Sequence, residues 1–128
     1  MTTYAVLLMG DENRWAAASD DERAAVFARH DEFAKRLAER GDEVVGGAEL
    51  AHSSGARTLR PAADGSQTVT DGPYAEATEQ LGGFYLVTTD DPAGLLEACR
   101  VLGETGDTLE VRATVEAGGQ RVRPIPTA

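Results

Sequence analysis

The alternation of apolar and polar positions along the chain predicts four strands of a sheet. Residues 3–9 and 83–89 are apolar on both alternating faces, which is typical of strands covered on both sides. Residues 109–115 alternate between apolar and polar side chains, which predicts a strand with one buried face. Residues 43–50 predict a fourth strand, weakened by Gly46 and Gly47.

Helix start and stop signals separate these strands. Ser19 and Glu22 form a capping box, and the helix that follows is expected to end at about residue 40, before Gly41. Asp91 and Pro92 open a second helix that ends near residue 103, because an acid at the N-cap and proline at the first position favour a helix start.

One face of each predicted helix carries the apolar residues that should meet the sheet. In the first helix His30 lies inside this stripe, three residues after Phe27 and seven before Leu37, so we expect its ring to face the sheet. The other stripe residues of the first helix are Val26, Phe33 and Ala34, and those of the second are Leu95, Leu96, Cys99 and Leu102.

The order of the elements predicts the fold class. Two short segments, 56–60 and 66–70, flank a turn at 63–65 and predict a surface hairpin between the second and third strands of the sheet. The resulting order, β-α-β-hairpin-β-α-β, is the ferredoxin-like α+β pattern, with the first and third strands of the sheet in the centre. We expect residues 1–128 to form a single domain.

The sheet has one more apolar face than the chain itself can cover. Two helices cover only one side of a four-stranded sheet, yet the central strands are apolar on both sides. A large exposed apolar patch usually marks an interface. We therefore predict a homodimer, in which a second copy packs sheet against sheet.

Composition and charge narrow the possible partners and locations. The formal net charge of −10 disfavours nucleic acids and anionic membranes as partners. The single cysteine allows no internal disulfide, and the first apolar run is too short for a signal peptide or a membrane span, so we expect a cytoplasmic protein. No zinc-ligand spacing, nucleotide-binding glycine motif or nucleophile elbow occurs, so no cofactor or metal is expected.

Several motifs, in the right order along nearly the whole chain, carry a resemblance to a known family. The central motif is Thr70-Asp71-Gly72-Pro73-Tyr74-Ala75-Glu76. It is followed by Glu79-Gln80-Leu81-Gly82-Gly83-Phe84-Tyr85, and Gly10-Asp11-Glu12, His30 with Phe33, and Gly46-Gly47 also fit. The chain resembles the YCII-related family, in particular its DGPF-type members, although Tyr74 stands where the motif has phenylalanine.

The resemblance implies a dimeric α+β barrel of ferredoxin-like subunits and a histidine and an aspartate in a cleft. At the matching positions of this sequence, the resemblance implies that the histidine is His30 and the aspartate is Asp71. A carboxylate bonded to one imidazole nitrogen would fix the tautomer and leave the other nitrogen to act on a substrate. Two other interpretations stay open: His30 as a hydrogen-bonded core residue, and Asp71 as a turn residue that binds its own backbone.

Three further side chains are candidates for binding a substrate in the same cleft. Tyr74 could offer its hydroxyl group, or simply pack after the turn. Glu76 could be a second acid, or a solvated side chain. Trp15 stands just before the first helix, where it could shield the cleft or staple the entry loop.

Two functional hypotheses follow for the cleft. In the first, a small enzyme moves a proton on an organic molecule in an isomerase- or lyase-like step, with His30 as acid–base and Asp71 orienting it. In the second, the same dimeric fold binds a small ligand or acts in regulation without catalysis. The fold is common to both hypotheses, so the contacts of His30 must decide between them.

Overall fold

The computed structural model describes residues 1–115 and Ile125, and its main body is an antiparallel four-stranded sheet with helices on one face. The elements are β1 (Thr2–Asp11), α1 (Glu12–Ala16), α2 (Asp20–Arg40), β2 (Glu43–Glu49), β3 (Arg57–Pro61), β4 (Gln67–Asp71), β5 (Glu79–Thr89), α3 (Pro92–Gly103) and β6 (Thr108–Ala113). A 3₁₀ turn, Ser53–Gly55, precedes β3.

The strand order in the large sheet is β2-β5-β1-β6. The two strands that are apolar on both faces, β1 and β5, are therefore the central ones, as the pattern predicted. This is an α+β architecture with an antiparallel sheet, compatible with a ferredoxin-like fold.

The ends of the helices match the signals in the sequence, with one addition. Ser19 caps α2 in a complete capping box, and Gly41 ends it in the left-handed conformation, with φ of 79°. The addition is the short helix α1, which was not predicted. Asp11 caps α1 by accepting hydrogen bonds from the amides of Asn13 and Arg14, at 3.1 and 3.2 Å.

The core lies between the sheet and the helices α2 and α3. Its members are buried apolar residues from both layers: Tyr4, Val6, Leu8, Phe33, Leu37, Val87, Leu95, Ala98, Cys99, Val101 and Leu102. Four apolar residues of the predicted stripes do not join it: Val26, which is half-buried, Ala34, which is exposed, and Phe27 and Leu96. Phe27 is 52% exposed and packs on Trp15 of α1 instead, and Leu96 is 37% exposed beside the buried Leu95.

The opposite face of the sheet carries apolar side chains that this chain buries only in part. Since Tyr4, Val6 and Leu8 point into the core, the alternate residues of β1 point to the other side. With their neighbours on β5, they form an outer apolar face made of Ala5, Leu7, Met9, Phe84 and Leu86.

Strands β3 and β4 form a separate two-stranded hairpin, as predicted. Every residue of the two strands except Thr58 is exposed. At the other end of the chain, β6 stops at Ala113, so Val115, which the alternation had placed in this strand, lies beyond its observed end, and Glu116 lies outside the described residues. None of the described helices has the length and apolar content needed to cross a membrane.

Candidate functional site

His30 faces the sheet, as its position in the apolar stripe of α2 predicted. Its Nδ1 atom lies 2.6 Å from the hydroxyl oxygen of Tyr85 on β5. The two rings are tilted by 36°, with their centroids 5.9 Å apart. Behind Tyr85 stands the fully buried ring of Phe33, at a centroid distance of 5.2 Å. The hydrogen bond between His30 and Tyr85 is therefore held by the packing of α2 on the sheet.

The charged groups of the described residues that act on His30 are all carboxylates. Partial burial lowers the pKa of His30, because desolvation disfavours the imidazolium ion, while Asp107, Glu49 and Asp31 act in the opposite direction. Burial raises the pKa of Asp107, although the neighbouring His30 opposes that shift. The pKa of Tyr85 is raised by burial and by Asp31, so the phenol keeps its proton at neutral pH.

Asp107 is a site residue that the sequence reasoning missed. It precedes β6, and its carboxylate lies against the backbone of Gly10 near the end of β1. Among the described residues no donor makes a hydrogen bond to this half-buried carboxylate. A signal was available, because in the ferredoxin-like order the last strand lies beside the first, so the start of β6 meets the end of β1, where Thr108 pairs with Met9.

This arrangement can hold and release a proton. The tyrosine hydroxyl group can donate to a bare Nδ1 and can accept from a protonated one, so the bond between Tyr85 and His30 survives a change in the charge of the ring. Within the part of the chain that the structure describes, Nε2 of His30 makes no hydrogen bond. That nitrogen is the atom left to act on a bound molecule.

The structure does not bring Asp71 to His30 within one chain. Asp71 ends β4, its side chain is 81% exposed, and it forms an ion pair with Arg57 on the neighbouring strand of the hairpin. The carboxylates that act on His30 come from other parts of the chain. A role for Asp71 beside His30 would therefore need a second subunit or a movement of the hairpin, and it stays a prediction.

The other predicted binding residues also lie away from His30. Tyr74 is 81% exposed, and the guanidinium group of Arg60 lies over its ring at 5.3 Å. Glu76 is exposed beside Gly72 in the same turn. These residues belong with the hairpin, and no contact joins them to His30 among the described residues.

Trp15 fastens α1 to α2. Its ring meets Phe27 edge-on at 5.6 Å, and the guanidinium group of Arg23 lies 5.2 Å from the ring centroid. Arg23 also donates a 3.1 Å hydrogen bond to the carbonyl oxygen of Trp15. These contacts fit the staple that was one of the two interpretations of Trp15.

His52 stands in a second polar cluster, at the junction of α1 with the 3₁₀ turn. Its Nδ1 accepts from the amide of Ser54 at 3.1 Å and lies 3.0 Å from the Ser54 hydroxyl oxygen. Its Nε2 lies 2.8 Å from the side-chain oxygen of Asn13. Both ring nitrogens are thus occupied by neighbours, and Glu12 is bonded to Ser53 beside them.

Two other features of the structure offer no reactive group. Burial raises the pKa of the Cys99 thiol to about 12, so it stays protonated, as expected of a core cysteine. An open surface depression of about 340 Å³ lies at the far end of the sheet, by Arg40 and Thr89. Its polar groups bind one another, since Asp42 accepts from Arg40 at 2.8 Å and from Thr89 at 2.6 Å.

With this geometry in place, comparison with known proteins fixes the family. The sequence profile of the YCII-related domain matches residues 2–116. The chain belongs to the YCII-related family. An uncharacterized protein of Rhizobium meliloti (strain 1021) is 35% identical over 122 residues, which cover 95% of this chain and 90% of that protein. The YCII-related match spans both His30 and Asp107, so the whole candidate site lies inside the family domain.

Proposed function

We propose that the protein binds a small organic molecule beside His30 and moves a proton on it, in an isomerase- or lyase-like step. The observation that carries this proposal is the half-buried imidazole with one nitrogen fixed by Tyr85 and the other without a protein partner among the described residues. A positioned general acid–base of this kind typically contributes about 10²- to 10⁴-fold in rate.

Each group has a distinct role in the proposal. His30 exchanges the proton through Nε2, and Tyr85 holds the ring through Nδ1. The Asp107 carboxylate favours the imidazolium form by its charge, and the opposing burial keeps the pKa of His30 below its ordinary value. In the single chain this role falls to Asp107 instead of Asp71, which faces solvent.

The electrostatic environment favours a neutral or positively charged ligand. Among the described residues, the groups that act on the charge of His30 are Asp107, Glu49 and Asp31, and none of them is an arginine or a lysine. An anionic ligand would meet these carboxylates, and like charges brought together disfavour binding.

We further propose that the protein is a homodimer in the cytoplasm, as predicted from the sequence. The outer apolar face of β1 and β5 supports the dimer, because a second copy would remove it from water. The single reduced cysteine supports the location.

Sedimentation tests the dimer. Leu86→Glu, at the centre of the outer apolar face, should shift the sedimentation coefficient from dimer to monomer, whereas Ala28→Glu on the exposed side of α2 should not. A wild-type monomer at micromolar concentration would contradict the dimer.

Proton transfer can be tested without knowledge of the substrate. A panel of small neutral, cationic and anionic carbonyl compounds is incubated with the protein in D₂O, and loss of the α-proton signal is followed by NMR. His30→Gln should slow exchange by about 10²- to 10⁴-fold for any compound that the wild-type protein turns over. His52→Gln is the matched control and should leave the rate unchanged.

The same assay separates the possible failures. A compound that shifts the His30 resonances but is never exchanged would point to the non-catalytic binding module. Exchange that persists in His30→Gln would show that His30 is not the acid–base.

A further inference from the structure

We propose that Gly10 is a positioning residue for the His30 site, because its missing side chain leaves the space in which the Asp107 carboxylate lies. The inference rests on the proposed function, in which that carboxylate acts on His30. It concerns the placement of Asp107, and no contact of Gly10 with a ligand is implied.

The two residues compete for the same volume. A Cβ atom built on Gly10 would overlap Oδ1 of Asp107 and would come within 3.0 Å of its Cγ. Real carbon atoms do not approach that closely without displacement, since the preferred separation of carbon atoms is about 3.5–4.0 Å. Any side chain at position 10 and the observed position of Asp107 are therefore mutually exclusive.

The backbone of Gly10 does not itself require glycine. Among the described glycines, those with positive φ are Gly41, Gly47, Gly65, Gly72 and Gly106, and Gly10 is not one of them. An L-residue can adopt the strand conformation of Gly10 without strain. The need for glycine at this place in β1 comes from the neighbouring carboxylate, which links position 10 to the site.

Position 10 also lies on the correct side of the sheet. Gly10 follows the buried Leu8 by two residues, so it faces the helix side, where His30 and Tyr85 meet. The carboxylate that fills the space beside Gly10 is thereby kept on that side. Among the described residues, the other charged or titratable groups facing His30 are Glu49 on β2, Asp31 on α2 and Tyr85 on β5, whereas the three atoms nearest to a Cβ built on Gly10 all belong to Asp107.

Gly10→Ala should displace the carboxylate while the fold persists. The obstructing atoms are at the end of a short side chain that can rotate away from the new methyl group. The matched control is Gly82→Ala on the adjacent strand β5, where a new Cβ would meet only the carbonyl oxygen of Leu8 at an ordinary 3.9 Å.

The experiment measures the pKa of His30 by NMR titration of its ring protons, with His52→Gln used to assign the two histidines. Asp107→Asn should lower the pKa of His30, because a negative charge that favours the imidazolium form is lost. Gly10→Ala should lower it in the same direction and to a comparable extent. The double variant should match Asp107→Asn alone, and Gly82→Ala should match the wild-type protein.

The outcomes separate this inference from the proposed function. If Asp107→Asn lowers the pKa of His30 and Gly10→Ala leaves it unchanged, Gly10 has no positioning role and the proposed site stands. If Asp107→Asn leaves the pKa of His30 unchanged, Asp107 is not the carboxylate that acts on His30, and both the proposed site and this inference are contradicted. If Gly10→Ala does not fold, Gly10→Ala/Asp107→Ala removes the overlapping atoms: recovery of folding supports the inference, and failure to recover overturns it.

Discussion

The two histidines of this protein stand in opposite situations. His52 is exposed and has a partner at each ring nitrogen, Ser54 at one and Asn13 at the other. His30 is half-buried, with Tyr85 at Nδ1 and no partner at Nε2 within the described part of the chain. An imidazole with hydrogen-bond partners at both nitrogens stabilises the local structure. An imidazole that is partly desolvated and has one nitrogen without a partner can take part in chemistry.

The surrounding carboxylates sharpen this contrast. Beside His52, the side chain of Glu12 is already bonded to the amide and hydroxyl groups of Ser53. Beside His30, Asp107 has no hydrogen-bond donor among the described residues, and burial raises its pKa. The Glu12 carboxylate is thus held by hydrogen bonds and also lies 3.6 Å from Nε2 of His52, whereas the Asp107 carboxylate acts on His30 without a hydrogen-bond donor of its own among the described residues.

Among the substitutions that test the contrast between the two histidines, removal of the ring that packs behind Tyr85 should have the largest effect on the free energy of unfolding. Phe33→Ala deletes a fully buried ring and should lower the free energy of unfolding by about 3–5 kcal/mol. The matched control on the same helix is Phe27→Ala, where the ring is 52% exposed and the loss should be about 1 kcal/mol. Urea denaturation measures both losses, and equal losses would contradict the assigned core.

Loss of the Tyr85 hydroxyl group should have the next largest effect on the free energy of unfolding. Tyr85→Phe keeps the ring against Phe33 but leaves Nδ1 of His30 without its 2.6 Å partner. An unsatisfied, partly buried polar atom should lower the free energy of unfolding by about 1–3 kcal/mol. The ¹⁵N chemical shifts of the His30 ring should report a changed tautomer ratio, while those of His52 stay constant. Unchanged His30 shifts would show that Tyr85 does not fix the ring.

Much of the fold could be predicted from the sequence because local signals agreed with it. The capping box at Ser19 and the glycine at position 41 marked the ends of α2, and the double apolar character of β1 and β5 marked the centre of the sheet. The helix α1 was missed because five residues carry too few periodic positions for a pattern. Its cap, Asp11, was visible but had been assigned only to the Gly10-Asp11-Glu12 motif that follows the predicted strand.

The site was only half predictable. The position of His30 in a helical stripe was enough to turn its ring toward the sheet. Its partners Tyr85 and Asp107 lie 55 and 77 positions further along the chain, and only the strand order brings them near. The sequence motif pointed instead to Asp71, whose hairpin lies apart from the sheet in the single chain.

A smaller effect concerns the dependence of stability on pH. Because burial lowers the pKa of His30 in the folded protein, the unfolded chain, with a pKa of about 6.5, takes up the proton first as the pH falls. Protonation of His30 therefore destabilises the fold below about pH 6.5, and the penalty is complete below the folded pKa. Relative to His30→Gln, the wild-type protein should lose stability between pH 7 and pH 5 in urea titrations. A gain in stability over this range would reverse the assigned direction.

The smallest effect is expected at the His52 cluster, where the geometry superficially resembles a nucleophile beside a base. The Ser54 hydroxyl oxygen lies 3.0 Å from Nδ1 of His52, but the same nitrogen already accepts the backbone amide of Ser54 at 3.1 Å. The neutral ring therefore carries its proton on Nε2, which donates to Asn13 at 2.8 Å. Ser54→Ala should change the free energy of unfolding by no more than about 0.5 kcal/mol, as is usual for an exposed position.

A fluorophosphonate probe gives this last comparison a chemical measurement. We expect no label on Ser54, because the amide that shares Nδ1 and the exposed setting leave the hydroxyl group unactivated. Mass spectrometry of the treated protein locates any adduct, and Ser54→Ala identifies background labelling. A stoichiometric adduct on Ser54 would mean that His52 acts as a base despite its occupied nitrogens, and the unoccupied Nε2 of His30 would then no longer distinguish His30 as the acid–base.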